Sequence, residues 1–290
     1  MNSHPGHATE VKFSRRTLGL LGLAALLQED AAAAPAKPAA AAAPPGPWRI
    51  VVNEAVTGDN NIFLLSNRYR ALADFLQARA KVKTINVDPV VDIQRFMAIA
   101  QGDPKPELVF GKSVNQLAKL VRDNGYQPLV RRSDPYKAAF IVAKGSQIKT
   151  LGEAAGGRIV MPDEFAATTA VARAELLRQN VGKADIRHVR YQESVAQQVQ
   201  AGWAQVGVVN PTIARKWVED GGRVLAETQP VVNWSVLASP SMPAAVCDSL
   251  REALLDLNTQ QPALIAAIGV KQWARADNKD FLALLDYTKE

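Results

Sequence analysis

From Trp48 onward, short apolar runs alternate with stretches whose apolar residues recur at helical spacing, and this alternation is the feature that most constrains the fold. Strand and helix in turn are the sequence form of an α/β protein with a largely parallel sheet. "WRIVVNE", "VKTINVD" and "PELVFG" read as strands. Between them, "NRYRALADFLQARA" places Tyr69, Leu72, Ala73 and Leu76 on one helical face, and "DIQRFMAIAQG" ends on Gly102. "NQLAKLVRDNG" is a helix stopped by Gly125. A second block repeats the scheme. Its strands are "YKAAFIVAKG", "RIVMP", "IRHVRY", "VGVVN" and "RVLAE"; its helices lie in "TLGEAAGG", from Ala166 to Gln179, in "ESVAQQVQAG" and in "PTIARKWVEDG". "VNWSVLASPSMP" is a further strand, followed by helices at 243–258, 262–269 and 279–288.

Those last helices need a surface to cover, and the economical solution returns the chain to the first block. The expected architecture is α/β with two lobes, each a mostly parallel sheet flanked by helices. Lobe 1 is 48–135 with 237–290, lobe 2 is 136–236, and a ligand cleft lies between them. Such lobes close by hinge bending.

Residues 1–47 are of another kind. "FSRRTLGLLGLAALL" sets Arg15 and Arg16 before an apolar segment too short to span a bilayer, which reads as a cleavable export signal. The Ser-Arg-Arg-Thr-Leu order resembles a twin-arginine signal, although Gly19 stands where a larger residue is common; an ordinary secretory signal fits the same letters. "EDAAAAPAKPAAAAAPPGP" cannot bury a core and reads as cleavage region and tether. A periplasmic location follows, with no stable membrane span after cleavage. Without residues 1–43, which hold four basic and three acidic residues, the net charge falls from +6 to +5. No run of Lys or Arg suggests nucleic acid. The lone Cys247 sits in an apolar periodic segment and reads as core. No metal-ligand spacing, P-loop, GxGxxG, GxSxG or Cys-His pair is present, so no metal, no cofactor and no enzyme activity are expected.

The candidate site residues lie where strands meet helices. "RIVMPDEFAATTAVARAELL" ends a strand beside a helix start, so free N–H groups and a helix dipole suit an anion there, with Thr168 and Thr169 adding hydroxyls; capping threonines in a plain connection explain the same letters. Thr57, Asn60 and Asn61 sit in a loop that is either cleft wall or a Gly-Asp-Asn turn. Lys112 follows a strand directly, and Ser113 is either a ligand contact or an N-cap. Gln192 and Ser194 open a helix, and Asn210 before Pro211 marks another. His188 reads as structural, and Trp203 and Trp234 read either as cleft wall or, the favoured reading, as core.

Four phrases carry a resemblance: "RYRALADFLQARAKVKTINV", "PELVFGKSVNQLAKLVRDNGYQPLVR", "YKAAFIVAKGSQIKTLGEAAGGRIVMPDEFAATT" and "VRYQESVAQQVQAGWAQVGVVN". In order and spacing, across roughly Trp48 to Leu257, the chain resembles the phosphonate/phosphite/phosphate-type substrate-binding proteins of ABC importers, which have the type II periplasmic-binding-protein fold. The resemblance implies a monomeric exported protein that captures a small oxyanion and delivers it to an inner-membrane ABC permease. The letters of the site depart from the family pattern. The Ser/Thr-rich turn closed by Gly is here Ala166, Ala167, Thr168, Thr169 and Ala170; a family His falls on Gln192, a family acidic residue on Gln205, and the tyrosine after the third strand is absent. These departures imply a neutral to positive pocket, and they leave open an alternative: a sensor or accessory module with a diverged site and a protein partner.

Overall fold

The computed structural model describes residues 44–54 and 61–290. The expected export signal and most of the tether lie outside the described residues, as do Thr57 and Asn60. Among the described residues no helix is long and apolar enough to cross a membrane.

The first block forms β1 (Trp48–Asn53), α1 (Ile62–Ala80), β2 (Ile85–Pro89), α2 (Ile93–Gln101), β3 (Leu108–Gly111), α3 (Val114–Asn124) and β4 (Gln127–Arg132). The second forms β5 (Ala139–Val142), a 3-10 turn (Leu151–Ala154), β6 (Arg158–Met161), α4 (Ala167–Arg178), β7 (Asp185–His188), α5 (Gln192–Gln200), β8 (Val206–Val209), α6 (Pro211–Glu219) and β9 (Arg223–Glu227). The chain ends with β10 (Ser235–Ala238), α7 (Ala244–Gln260), α8 (Pro262–Ala267), β11 (Trp273–Arg275) and α9 (Asn278–Thr288).

Two sheets result, with strand orders β11-β4-β10-β3-β1-β2 and β7-β6-β8-β5-β9. The α/β design with two sheets is as expected, but the pairing within each sheet is mixed. β1 runs parallel to β2 and β3, and β6 to β7 and β8, because helices connect them. β10 and β5 are antiparallel to both of their neighbours, each entering its sheet from a crossing between the two sheets. β4 and β11 escape the sequence pattern for a local reason. β4 contains Pro128, which has no N–H for a ladder, and its register against β10 shifts at Leu237, the residue opposite that proline. β11 has only three residues.

The two crossings run side by side: Tyr136 and Val231 exchange both backbone hydrogen bonds at 2.9 Å. Behind them one apolar cluster continues through both sheets, joining Val51, Val109 and Leu237 of the first to Phe140, Ile159 and Val206 of the second. α9 lies within this cluster through Phe281, Leu284 and Leu285 and packs against both α3 and α4. Its Tyr287 hydroxyl donates to the buried Glu175 carboxylate of α4 at 2.9 Å, and Glu290 just beyond it pairs with Lys119 of α3. A second cluster, built on Trp48, Tyr69, Phe110 and Trp273, joins α1, α7 and the first sheet, and Cys247 lies in it as expected.

Phe281 of α9 is fully buried in the first cluster. Phe281→Ala is expected to cost about 3–5 kcal/mol, read as a drop of roughly ten degrees in the melting temperature by scanning calorimetry.

Candidate functional site

A cavity of about 710 Å³ opens where the two sheets face each other. One wall comes from the first sheet and the crossings: Glu54 after β1, Lys112 after β3, and Arg132, Asp134, Tyr136, Asn233 and Trp234. The other is built from three helix starts: Ala166, Ala167 and Thr168 at α4, Gln192 and Glu193 at α5, and Asn210 to Ile213 with Arg215 at α6.

The helix starts differ in what they leave free. The first-turn N–H groups of any helix lack intrahelical acceptors. At α6, Asn210 supplies the acceptor, its Oδ1 taking the N–H of Thr212 at 2.9 Å and of Ile213 at 3.0 Å. At α4 and α5 the capping positions are Ala166 and Tyr191, and neither contributes a side-chain acceptor. Those two starts therefore turn uncapped amides and the positive ends of their dipoles toward the cavity.

Thr168 and Thr169 are adjacent letters with different tasks. Thr169 is fully buried, and its hydroxyl donates back to the Pro162 and Asp163 carbonyls at 3.1 and 2.9 Å, clamping the β6–α4 turn. His188 holds the same Pro162 carbonyl through Nδ1 at 2.7 Å, a structural role as expected. Thr168 lines the cavity. Its Oγ1 accepts from Gln192 Nε2 at 3.1 Å and shares a proton with the Tyr136 hydroxyl at 2.5 Å, while Gln192 Oε1 accepts the Asn210 N–H at 2.6 Å. Four residues from a crossing, α4, α5 and the start of α6 thus form one continuous chain of hydrogen bonds, buried except at Asn210. Burial pushes the Tyr136 phenol up to about 12, so it stays a hydroxyl at neutral pH.

On the opposite wall Lys112 is not an exposed lysine. Its Nζ donates to Glu54 Oε2 at 3.0 Å and stands 4.0 Å from the centre of the Trp234 ring. Glu54 is 5% exposed and also accepts from Arg68 at 3.0 Å and from the Tyr69 hydroxyl at 2.7 Å. Burial alone would push the Glu54 carboxyl up; Lys112, the Tyr69 hydroxyl and Arg68 outweigh it and hold it below its ordinary range. Burial pulls the Lys112 ammonium down against the attraction of Glu54. Arg132 stands 4.4 Å from the same Trp234 ring and pairs with Asp134.

Of the residues singled out from the sequence, Lys112, Thr168, Gln192 and Asn210 meet at this cavity. Thr169, Ser113 and Ser194 do not line it. Ser113 caps α3 in position only, because its buried Oγ has no partner. Asn61 caps α1 by accepting from the N–H groups of Phe63 and Leu64. Trp203 departs from the core expectation, being 66% exposed on the turn after α5, whereas Trp234 packs against the second apolar cluster and also forms cavity wall. Glu54, Arg132, Tyr136, Arg215 and Lys271 were not legible as site residues. Glu54 carried one usable signal, since like Lys112 it stands at the end of a parallel strand.

Residues 63–281 match the family model described as "ABC transporter, phosphonate, periplasmic substrate-binding protein", and the chain belongs to that family. The family comprises periplasmic substrate-binding components of transporters, which are not enzymes. Solved structures share the two-lobed fold. PhnD1 of Prochlorococcus marinus in complex with methylphosphonate aligns with a TM-score of 0.68 at 13% identity, over 85% of this chain and 98% of that one. XAC2383 of Xanthomonas citri bound to ATP aligns at 0.70 and 16%, over 83% and 97%. A binding-protein component of a Pseudomonas aeruginosa phosphonate transporter aligns at 0.64 and 11%, over 84% and 86%. No curated protein matches the chain.

Two outcomes follow from this geometry. Thr168→Val leaves the Gln192 amide and Tyr136 hydroxyl short of a buried partner and is expected to cost about 1–3 kcal/mol, read by thermal unfolding without ligand. Because the folded state depresses the Glu54 pKa, its stabilisation is present above the unfolded value of about 4.3 and is lost as pH falls through the folded value. Unfolding titrations from neutral to acid pH are expected to show a shallower loss of stability in Glu54→Gln than in the natural chain.

Proposed function

We propose that this protein captures a small phosphorus oxyanion of the phosphonate, phosphite or phosphate kind and delivers it to an ABC permease in the inner membrane. The observation that carries the reading is the convergence of two uncapped helix starts, at Ala166–Thr168 and Gln192, on one cavity with the Thr168 hydroxyl between them. In this reading Tyr136 donates to Thr168, whose own proton then turns to the ligand. The neighbours' fold and the methylphosphonate named for one of them support the same class of ligand.

The lobes would be 48–135 with 237–290, and 136–236, pivoting about the paired crossings at Tyr136 and Val231. Residues 1–43 would carry a cleavable signal, twin-arginine in type, and the mature protein would act as a monomer. Lys112, Gln192 and Asn210 would shape the site from behind the ligand, along with Ser113 and Thr169. Thr57 and Asn60 complete the set of candidate contacts, and Ser194 lies behind the lining in the first turn of α5.

Thermal unfolding of residues 44–290, refolded to strip carried ligand, tests this against phosphate, phosphite, methylphosphonate, sulfate and carboxylates. An anion at 100 times its dissociation constant is expected to add about 2.7 kcal/mol. Thr168→Val should remove most of that gain, whereas no shift with any anion in the natural chain would sink the reading and favour a protein partner.

A further inference from the structure

Glu54 is the most heavily bonded carboxylate on the cavity wall, and none of the roles assigned so far explains it. Its two oxygens accept three donors, Tyr69 on Oε1 and Arg68 with Lys112 on Oε2, all between 2.7 and 3.0 Å. Those donors are protein groups, so the carboxylate is turned to the chain's own cations. Lys112 is held in turn: its side chain is 10% exposed, with Glu54 on one side and the Trp234 ring on another. A wall built to attract as much negative charge as it can would leave that ammonium without a carboxylate.

The second cation at the Trp234 ring is held in the same way. Four cations, Lys112, Arg132, Arg215 and Lys271, face three carboxylates, Glu54, Asp134 and Glu193. Arg132 is paired with Asp134, and Lys112 with Glu54, which Arg68 also reaches from outside the lining, so neither of the two cations at the Trp234 ring presents an unpaired charge. Beside a cation already paired with a carboxylate a second ligand charge gains less than it would beside a free one, because the carboxylate's repulsion offsets the cation's attraction.

We propose that Glu54 is a specificity-determining residue that sets the charge the cleft accepts: by keeping Lys112 in a buried ion pair it makes the cleft prefer singly charged phosphorus oxyanions over doubly charged ones. This rests on the reading of the cleft as an oxyanion site. Glu54 acts through Lys112 and does not touch the ligand, so it is a positioning residue for the lysine charge.

The test is a ratio of affinities, which a merely structural role would not move. Calorimetric titration at mildly alkaline pH compares methylphosphonate, which carries two charges there, with its monomethyl ester, which carries one. The natural chain is expected to bind the ester more tightly. Glu54→Gln, which keeps the size and an acceptor oxygen, should shift the ratio toward the dianion by about tenfold or more. Lys112→Met, with Glu54 intact, should shift it in the opposite direction, and it serves where Glu54→Gln does not fold. The double variant Glu54→Gln, Lys112→Gln should return to the natural ratio. If the natural chain binds both ligands and neither single variant moves the ratio, the charge-setting role is overturned while the oxyanion reading stands. If the natural chain binds neither, both fall, and that result is visible without any variant.

Discussion

Everything at the cleft depends on one packing constraint behind it: the apolar face of α9 fills the space between α3 and α4. Phe281, Leu284 and Leu285 belong to a cluster that also contains core residues of both sheets. The two sheets therefore do not own separate interiors on that side. Where the wedge of α9 ends, nothing apolar fills the gap, and the cleft opens there with polar side chains on both walls. The Phe165 carbonyl just before α4 accepts from Asn115 and Gln116 of α3, and the Tyr287–Glu175 bond ties α4 to α9. The backbone approaches closely elsewhere for the same purpose. A Cβ at Gly207 of β8 would come within 2.8 Å of Val195 and Val199, so the absence of a side chain there is what lets α5 sit down on its sheet.

The polar side chains buried at the cleft, Glu54, Thr168 and Gln192, are expensive to bury, and each is hydrogen-bonded. Removing one partner of such a pair costs several kcal/mol, yet the pair as a whole contributes little to stability compared with apolar residues of the same volume. The Glu54–Lys112 pair and the Tyr136–Thr168–Gln192–Asn210 chain are consequently poor explanations of why the protein folds. They are better explanations of why it folds with these groups in these places. The chain of hydrogen bonds crosses four elements, so the Thr168 hydroxyl cannot turn without breaking bonds in a neighbouring helix start.

Much of this was legible in the sequence, and the part that was not has identifiable physical causes. Alternating periodicity located almost every strand and helix, because parallel strands and their crossover helices bury long apolar faces that leave a strong pattern. β11 left no such pattern, having three residues, and β4 was hidden by Pro128. Lys112, Thr168, Gln192 and Asn210 were found by position, since each follows a strand of the sheet. The separation of Thr168 from Thr169 was beyond any reading of letters. Neighbouring positions on a helix point about 100° apart, and which of the two meets the cavity depends on how α4 is rolled against α9. Glu54 was missed for the opposite reason: an isolated acidic residue after a strand looks solvated until Arg68, Tyr69 and Lys112, far apart in sequence, are brought around it.

The departures from the family's site letters and the persistence of its fold are compatible because anion recognition at a helix start rests on the backbone. The N–H groups of the first turn are present whatever the side chains are, so Ala166 and Ala167 keep that contribution without hydroxyls of their own. Side chains instead adjust charge, shape and proton direction. In this chain those adjustments are concentrated on the first-sheet wall, where a carboxylate is set against the one lysine that follows a strand end. On the proposed reading, a site of this kind keeps an anion at its helix starts while the Glu54–Lys112 pair, one layer behind the ligand, sets which anion it holds.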